Sequence, residues 1–340
     1  MPAFAHAARP VRRVLLVSLD NLGDLVFASA LSEPLSRRFP DAELTVWCKH
    51  YTADVAPLLP GVHRVIAADP FWDVAPGRGK GALGDFARAL RDVRAHRFDV
   101  AVLASPQWRV AAAAWAAGIP RRVGLERAHN HRFLTDVLPP ASRDRSVLGD
   151  LVRMLAPLGA APTDDPPRYR LDARPLAERV GRLRGALGSA PLAALHAFAS
   201  KRARCIPLDQ WLRLAAAVEE RGFAPLWVGT AQELAEVRAS APAGNAWRYL
   251  TDVGDGTLAD AAAAISTCRL FVGHDSGPLH VAGGFGVPVV GIFAPGTPNR
   301  TYPQGTGPGR MLYRPSPDDI TLGDVLPLVD DVLGEAARGG

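Results

Sequence analysis

Four polar side chains, His274, Asp275, Ser276 and His280, fall within seven positions of an otherwise apolar stretch running from Phe271 to Pro295. Leu270-Phe271-Val272 reads as a buried strand broken at Gly273. Asp275 and Ser276 are good N-cap types, and Pro278 suits a first helical turn, where its missing N–H costs nothing. Ala282 to Gly286 continue the helix and end it on glycine, and Val287 to Phe293 form a second, β-branched strand. A strand that stops on a Ser-Gly turn and feeds a helix aims backbone N–H groups at one spot, which suits a phosphate or pyrophosphate. The same corner also serves as a plain βαβ connection. Its polar density favours a site, because open α/β sheets hold their ligands at the carboxyl ends of strands.

The elements that must position this corner alternate along the whole chain. Val14–Ser18, Leu44–Trp47, Val62–Ala67, Asp99–Ala104 and Arg121–Gly124 read as strands, with helices over 25–39, 54–59, 85–96, 110–118 and 146–158. Residues 76–84 are a Gly/Pro/Lys-rich loop, and 126–146 gather Arg127, His129, His131, Arg132, Arg143 and Arg145 with little periodicity. Residues 162–189 look like a connection between domains. The alternation restarts with strands at 193–198, 225–229 and 269–273 and helices at 208–221, 232–239 and 258–266; a last helix spans 318–337. Two such series describe two Rossmann-like, doubly wound α/β domains facing across a cleft.

Length and composition bound the remaining choices. At 340 residues, with 48% hydrophobic and 21% charged residues, the chain is an ordinary globular protein able to form two domains. A net charge of +5, mixed along the chain, fits an anionic substrate or an anionic membrane surface. No Lys/Arg block with interleaved aromatics argues for nucleic acid. The three cysteines, Cys48, Cys205 and Cys268, lack metal-ligand spacing and point to a reducing compartment. No run approaches the ~18 apolar residues of a membrane span. The expectation is a cytoplasmic protein, at most peripheral at the inner membrane.

Gly23-Asp24 after strand one, followed by an apolar helix, combines with Gly273-His-Asp-Ser-Gly-Pro-Leu-His280 near the end. With Gly118-Ile-Pro-Arg-Arg-Val-Gly124, Leu155-Ala-Pro-Leu-Gly159 and Phe293-Ala-Pro-Gly-Thr-Pro298, the set resembles glycosyltransferase family 9, the ADP-heptose lipopolysaccharide heptosyltransferases. The resemblance covers nearly the whole chain. It implies a GT-B fold and an inverting, metal-independent transfer of heptose from ADP-heptose to a lipopolysaccharide inner-core acceptor, with no cofactor beyond the nucleotide-sugar. It also implies an N-terminal acceptor domain over 1–170, a donor domain over 190–315, and a C-terminal helix in 316–340 returning to the N-terminal domain.

Inverting transfer needs one base to take a proton from the acceptor hydroxyl, and positive or N–H groups to hold the departing diphosphate. Asp24 matches the family's base; its structural alternative is N-cap of a helix starting at Leu25, and Asp20 is the rival acid. On the donor side, Asp275, Ser276, Gly277, Pro278 and His280 match the nucleotide-sugar motif. Asp275 is better suited to ordering the turn or binding sugar hydroxyls than to a diphosphate. His280 either donates to phosphate or packs as a helix histidine. In His196–Pro207, Ser200 fills the family's hydroxyl position, and Lys201, Arg202 and Arg204 all compete to clamp phosphate; Arg204 stands three before the proline. Glu233 aligns with a ribose-binding acid or is a solvated helix-start residue. Gly23, Arg127 and Arg132 lie where the family meets its acidic acceptor; for the arginines a solvated basic loop is the competing reading. Ser18, Asn21, Ile206 and His274 depart from residues frequent in the family; the first two bear on the acceptor, and His274 on the donor.

Other functions remain open at this level: a family 9 transferase with another nucleotide sugar or acceptor (O-antigen, protein or natural product), a nucleotide-sugar epimerase, or a non-catalytic nucleotide-binding protein. A dinucleotide dehydrogenase is disfavoured, because Leu19 to Asp24 contains no G-x-G-x-x-G.

Overall fold

A computed structural model describes residues 10–74, 79–199, 201–295 and 297–339. Part of the 76–84 loop, and Ser200, therefore lie outside the described residues. The first unit carries strands β1 (Arg13–Ser18), β2 (Glu43–Cys48), β3 (Arg64–Ala67), β4 (Val100–Leu103), β5 (Arg121–Leu125) and β6 (Asp136–Leu138). Helices α1 (Leu22–Arg38), α2 (Leu83–His96), α3 (Trp108–Ala116) and α4 (Val147–Leu151) accompany them. The second unit carries α5 (Ala177–Leu187), β7 (Leu192–His196), α6 (Leu208–Glu220), β8 (Ala224–Trp227), α7 (Ala231–Ser240), β9 (Arg248–Tyr249) and α8 (Leu250–Val253). It continues through α9 (Leu258–Ser266), β10 (Leu270–His274), α10 (Gly277–Gly284), β11 (Val289–Phe293), α11 (Pro298–Thr301), β12 (Gly309–Tyr313) and α12 (Leu322–Gly339).

Each unit is one six-stranded parallel sheet, ordered β3-β2-β1-β4-β5-β6 and β12-β11-β10-β7-β8-β9. Counted from its own first strand, the second order is the mirror listing of the first, so the two halves are wound alike. The order reverses between β1 and β4 in one sheet and between β7 and β10 in the other. Parallel strands buried on both faces account for the apolar runs: Val14 to Val17 and Leu270 to Val272 are at most 1% exposed.

Helix α1 is buried nearly all round, which a surface helix would not tolerate. It lies between its own sheet, α4 and, across the seam, α10 of the second unit. Two glycines allow that approach. A Cβ on Gly277 would sit 2.7 Å from Leu22 Cδ2, and one on Gly23 would sit 3.0 Å from His280 Cδ2. Tyr169 and Leu171 fill the flank, bonding to Gln304 and Gly284 through their backbone N–H groups. The resulting apolar cluster is continuous from β1 to α12. A second cluster, on the other face of the first sheet, is covered by α2 and α3.

Three expectations change. Residues 174–187 are not mere connection: α5 packs on α9 and α8, so the second unit begins before residue 190. Edge strands β6, β9 and β12 join the sheets where no strand was expected. The C-terminal helix α12 does not return to the first unit; it packs on β11, β12 and α6. Arg221–Asp330, Arg310–Asp331, Arg310–Glu335 and Arg314–Asp324 tie it down at 2.6–2.8 Å. Exposed pairs of this kind are each worth up to about 1 kcal/mol, so buried Val325, Val329 and Val332 hold the helix and the pairs set its register.

The seam generates a packing prediction. Gly277→Ala should destabilise the protein by about 1–3 kcal/mol in denaturant unfolding, through overpacking against Leu22. Combining it with Leu22→Ala should cost less than the sum of the two single changes; strict additivity would show that the contact is absent in solution.

Candidate active site

Asp24 is the third residue of α1 and not the N-cap that was one of its expected roles, because the helix starts about one turn earlier, at Leu22. The helix begins at Leu22 and Asn21 is the N-cap residue, so Asp24 occupies N3 of a capping box. Its Oδ2 accepts the Asn21 N–H at 3.1 Å. The Leu22 N–H donates to Tyr51 Oη at 2.7 Å, which fixes the first turn from β2's side. Asp20, at the end of β1, accepts a bond from Gln107 Nε2 at 3.0 Å. Burial pushes the Asp24 carboxyl up to about 6; the nearby Asp20 charge adds to this, while the Asn21 N–H, His280 and Lys49 oppose it. A carboxyl held there can accept a proton near neutral pH.

The facing wall comes from the second unit. Ser276 is the N-cap residue of α10, as expected, and Pro278 lies in its first turn. The Ser276 hydroxyl turns inward: it donates to the His274 carbonyl at 3.0 Å and lies 3.1 Å from His196 Nδ1. Asp275 accepts from Thr301 Oγ1 at 3.3 Å, and its other oxygen is 3.5 Å from His280 Nε2. Asp275 thus links the turn to α11 and to His280. His280 is buried at the seam, 4.5 Å from the Phe27 ring centroid and 6.0 Å from that of Tyr169, so the packed-helix alternative describes it. Burial drives His274 down to about 3 and His196 to about 4, so both are neutral imidazoles. His274 Nε2 accepts the Ile206 N–H at 3.2 Å and so anchors the basic loop to β10.

That loop separates its three cations. Arg202 pairs with Glu236 and lies over the Phe198 ring. Lys201 is exposed. Arg204 lines a small crevice with His274, Asp275 and Phe293, beside the α10 turn. Ser200 is outside the described residues. Glu233 closes a capping box with Thr230 at the start of α7, accepting its N–H at 2.8 Å.

Between the units lies a cavity of about 450 Å³ lined by Asp20, Asp24, Pro106, Glu126, Arg127 and Arg300, among others. Gly23 borders the seam and Arg127 lines the cavity, whereas Arg132 stands on the exposed 130–132 turn and does not line it. Sequence reasoning missed Arg300 altogether. From α11 of the second unit its guanidinium reaches the Arg145 carbonyl at 2.5 Å, the Asp150 carboxylate at 2.6 Å, and the Ser142 carbonyl. Asp150 is buried and is also met by Arg145 and Arg153. Lys49, fully buried and paired with Asp73 at 2.8 Å, was missed too. A bigger cavity, about 850 Å³, opens at the amino-terminal ends of the second sheet near Pro191, Arg269 and Pro288, away from both order reversals. Among the described residues, no group of three or more His, Cys, Asp or Glu is placed to hold a metal ion.

Residues 86–309 match the sequence profile described as Glycosyltransferase family 9 (heptosyltransferase). A curated relative, lipooligosaccharide heptosyltransferase 2 of Haemophilus ducreyi, is 22% identical over 306 residues, covering 86% of each chain. Among solved structures, a family 9 glycosyl transferase from Veillonella parvula superposes with a TM-score of 0.80 at 18% identity, covering 95% of this chain and 97% of the other. ADP-heptose lipopolysaccharide heptosyltransferase II of Escherichia coli gives 0.78 at 21%, covering 96% and 99%. These likenesses make the fold GT-B.

Two stability outcomes follow from the site. In the folded state Asp24 binds its proton more tightly than its ordinary value of 3.8 allows, so its contribution is present at low pH and is lost as pH rises from about 4 through 6. Asp24→Asn should accordingly be near neutral at pH 4 and stabilising by about 1–3 kcal/mol above pH 7, read from denaturant unfolding at both values. Asp150→Ala leaves three guanidiniums without their buried partner and should cost about 3–5 kcal/mol, against about 1–2 for Arg300→Ala, which leaves Asp150 two partners.

Proposed function

The chain belongs to glycosyltransferase family 9 and is a glycosyltransferase, and from that premise we propose that it moves a heptose from ADP-heptose to a lipopolysaccharide inner-core acceptor. The observation that carries the reading is Asp24: a carboxyl pushed up to about 6, lining an interdomain cavity and next in sequence to Gly23, which packs on His280 of the donor-side helix. The named activities and donor of the Haemophilus and Escherichia relatives supply the substrate classes.

In this reading the ionised Asp24 takes the proton of an acceptor hydroxyl while that oxygen forms a bond to the anomeric carbon. The bond from the same carbon to the diphosphate oxygen breaks on the opposite face, so configuration inverts and ADP leaves with the electron pair. The N-terminal turn of α10 and Arg204 meet the charge growing on the diphosphate, without a required metal. Because His196 and His274 are neutral, they contribute shape and hydrogen bonds rather than charge. Arg127 faces the acidic acceptor from the cavity wall. The reaction takes place on the cytoplasmic side of the inner membrane.

Transfer measured against pH should give kcat/KM rising with an apparent pKa of about 6 and level above pH 7. Asp24→Asn should lower kcat by about a hundredfold or more while ADP still raises the melting temperature as in the parent protein. Turnover close to the parent's in that variant removes Asp24 from the base role. Interconversion of the sugar nucleotide without acceptor would instead identify an epimerase.

A further inference from the structure

Six of the eight large hydrophobic side chains exposed among the described residues lie on the first unit: Phe71, Val74, Leu83, Trp108, Trp115 and Val137. Two of them organise a surface. Trp108 and Trp115 are seven residues apart on α3, hence on one face of the helix, and are 39% and 57% exposed. Phe133, half-buried, bridges them, with centroids 6.4 and 5.8 Å from the two indoles.

The patch is built rigidly and is basic. Asn130 Nδ2 donates to the carbonyls of Pro106 and Leu125 at 3.0 and 2.8 Å, pinning the 126–133 turn to the start of α3. On the other side, Trp72 Nε1 donates to Gln107 Oε1 at 2.9 Å, joining α3 to the Phe71–Trp72–Phe86 ring cluster. The Arg109 guanidinium lies over the Trp108 ring at 4.8 Å. Arg127 and Arg132 are exposed on the pinned turn and make no ion pair among the described residues. Of the nearby acids, Asp85 pairs with Arg88 and Asp73 with Lys49, while Glu126 stands 3.8 Å from the His131 ring and is outnumbered by Arg109, Arg127 and Arg132. Unpaired cations beside exposed indoles suit an interface that is apolar on one side and anionic at its edge, as a lipid headgroup layer is.

Its position gives the surface a purpose. Pro106 and Arg127 line the cavity that holds Asp24, and Gln107 binds Asp20 in the same wall. The patch is therefore the outer rim of the acceptor-side opening. We propose that the α3–Phe133 surface is a membrane-docking face, which seats the first unit on anionic lipid so that a lipid-anchored acceptor enters the cavity from the bilayer side. The purpose rests on the transferase reading; the docking itself does not.

The test uses the full chain and sedimentation with vesicles of phosphatidylethanolamine containing phosphatidylglycerol, beside vesicles of phosphatidylcholine alone. The parent protein should partition onto the anionic vesicles and be released by high salt. Trp115→Ser and Trp108→Ser should each weaken partitioning about tenfold. Arg109→Glu should weaken it on anionic vesicles only, and all three should melt as the parent does. Brominated lipid should quench parent fluorescence more than that of the double tryptophan variant. Equal binding to neutral and anionic vesicles, or serine variants that partition like the parent, would overturn the proposal. So would a parent dimer in sedimentation velocity that the tryptophan changes dissolve, because the face would then bind a second copy. A docking face that passes while sugar transfer fails refutes the transferase reading alone.

Discussion

The structure depends on two helix N-termini meeting from opposite sheets. Leu22 of α1 lies against Gly277 of α10, and His280 of α10 lies against Gly23 of α1. Each contact needs a residue without a side chain on one side and a filling group on the other, so neither half can change alone. Since both helices follow strands at the point where their sheet order reverses, the seam brings the two ligand crevices of two like-wound sheets to one place. The first turn of α1 delivers the acid, and the first turn of α10 delivers N–H groups suited to an anion.

Charge is distributed across that seam with a clear division of labour. The titratable groups against the donor-side turn, His196 and His274, are kept neutral by burial and act through hydrogen bonds. The cations stand further out: Arg204 beside the α10 turn, Arg127 in the cavity wall, Arg300 reaching across. Arg300 and Thr301 are neighbours in α11 with different duties. Arg300 holds Asp150 and two carbonyls of the first unit, and Thr301 holds Asp275 at the turn. One short helix thus ties the geometry of the α10 turn to the loop that walls the cavity holding Asp24.

Much of this was legible in the sequence because parallel, doubly covered strands leave long apolar runs, and because Ser-Gly-Pro after such a run has few other uses. The strands β1, β2, β4, β7, β10 and β11 are all of this kind. What escaped was short or peripheral: Asp136–Leu138, Arg248–Tyr249 and Gly309–Tyr313 are edge strands, half-solvated and without an apolar run. The start of α1 was misplaced by one turn because Asp24 and Asn21 are both cap types, and only the backbone shows which one caps. Arg300 gave no signal at all; its partners stand some 150 residues away along the chain. Asp150 sits at an ordinary helical position, and three arginines around one carboxylate cannot be read from spacing. The sequence placed Trp108 outside the expected 110–118 helix, so it could not show that Trp108 and Trp115 share one exposed face.

The elevated proton affinity of Asp24 arises chiefly from loss of water, and part of what excludes water is the opposite half, through His280 and Gly277 against the start of α1. Were the halves to part, the carboxyl would rehydrate and fall back toward ordinary aspartate strength, a far feebler acceptor of protons. In the proposed reaction, solvent entering an ajar molecule would thus meet a blunted base beside the sugar nucleotide. On that proposal, the same packing that raises the proton affinity of Asp24 would also guard an activated sugar against wasteful hydrolysis.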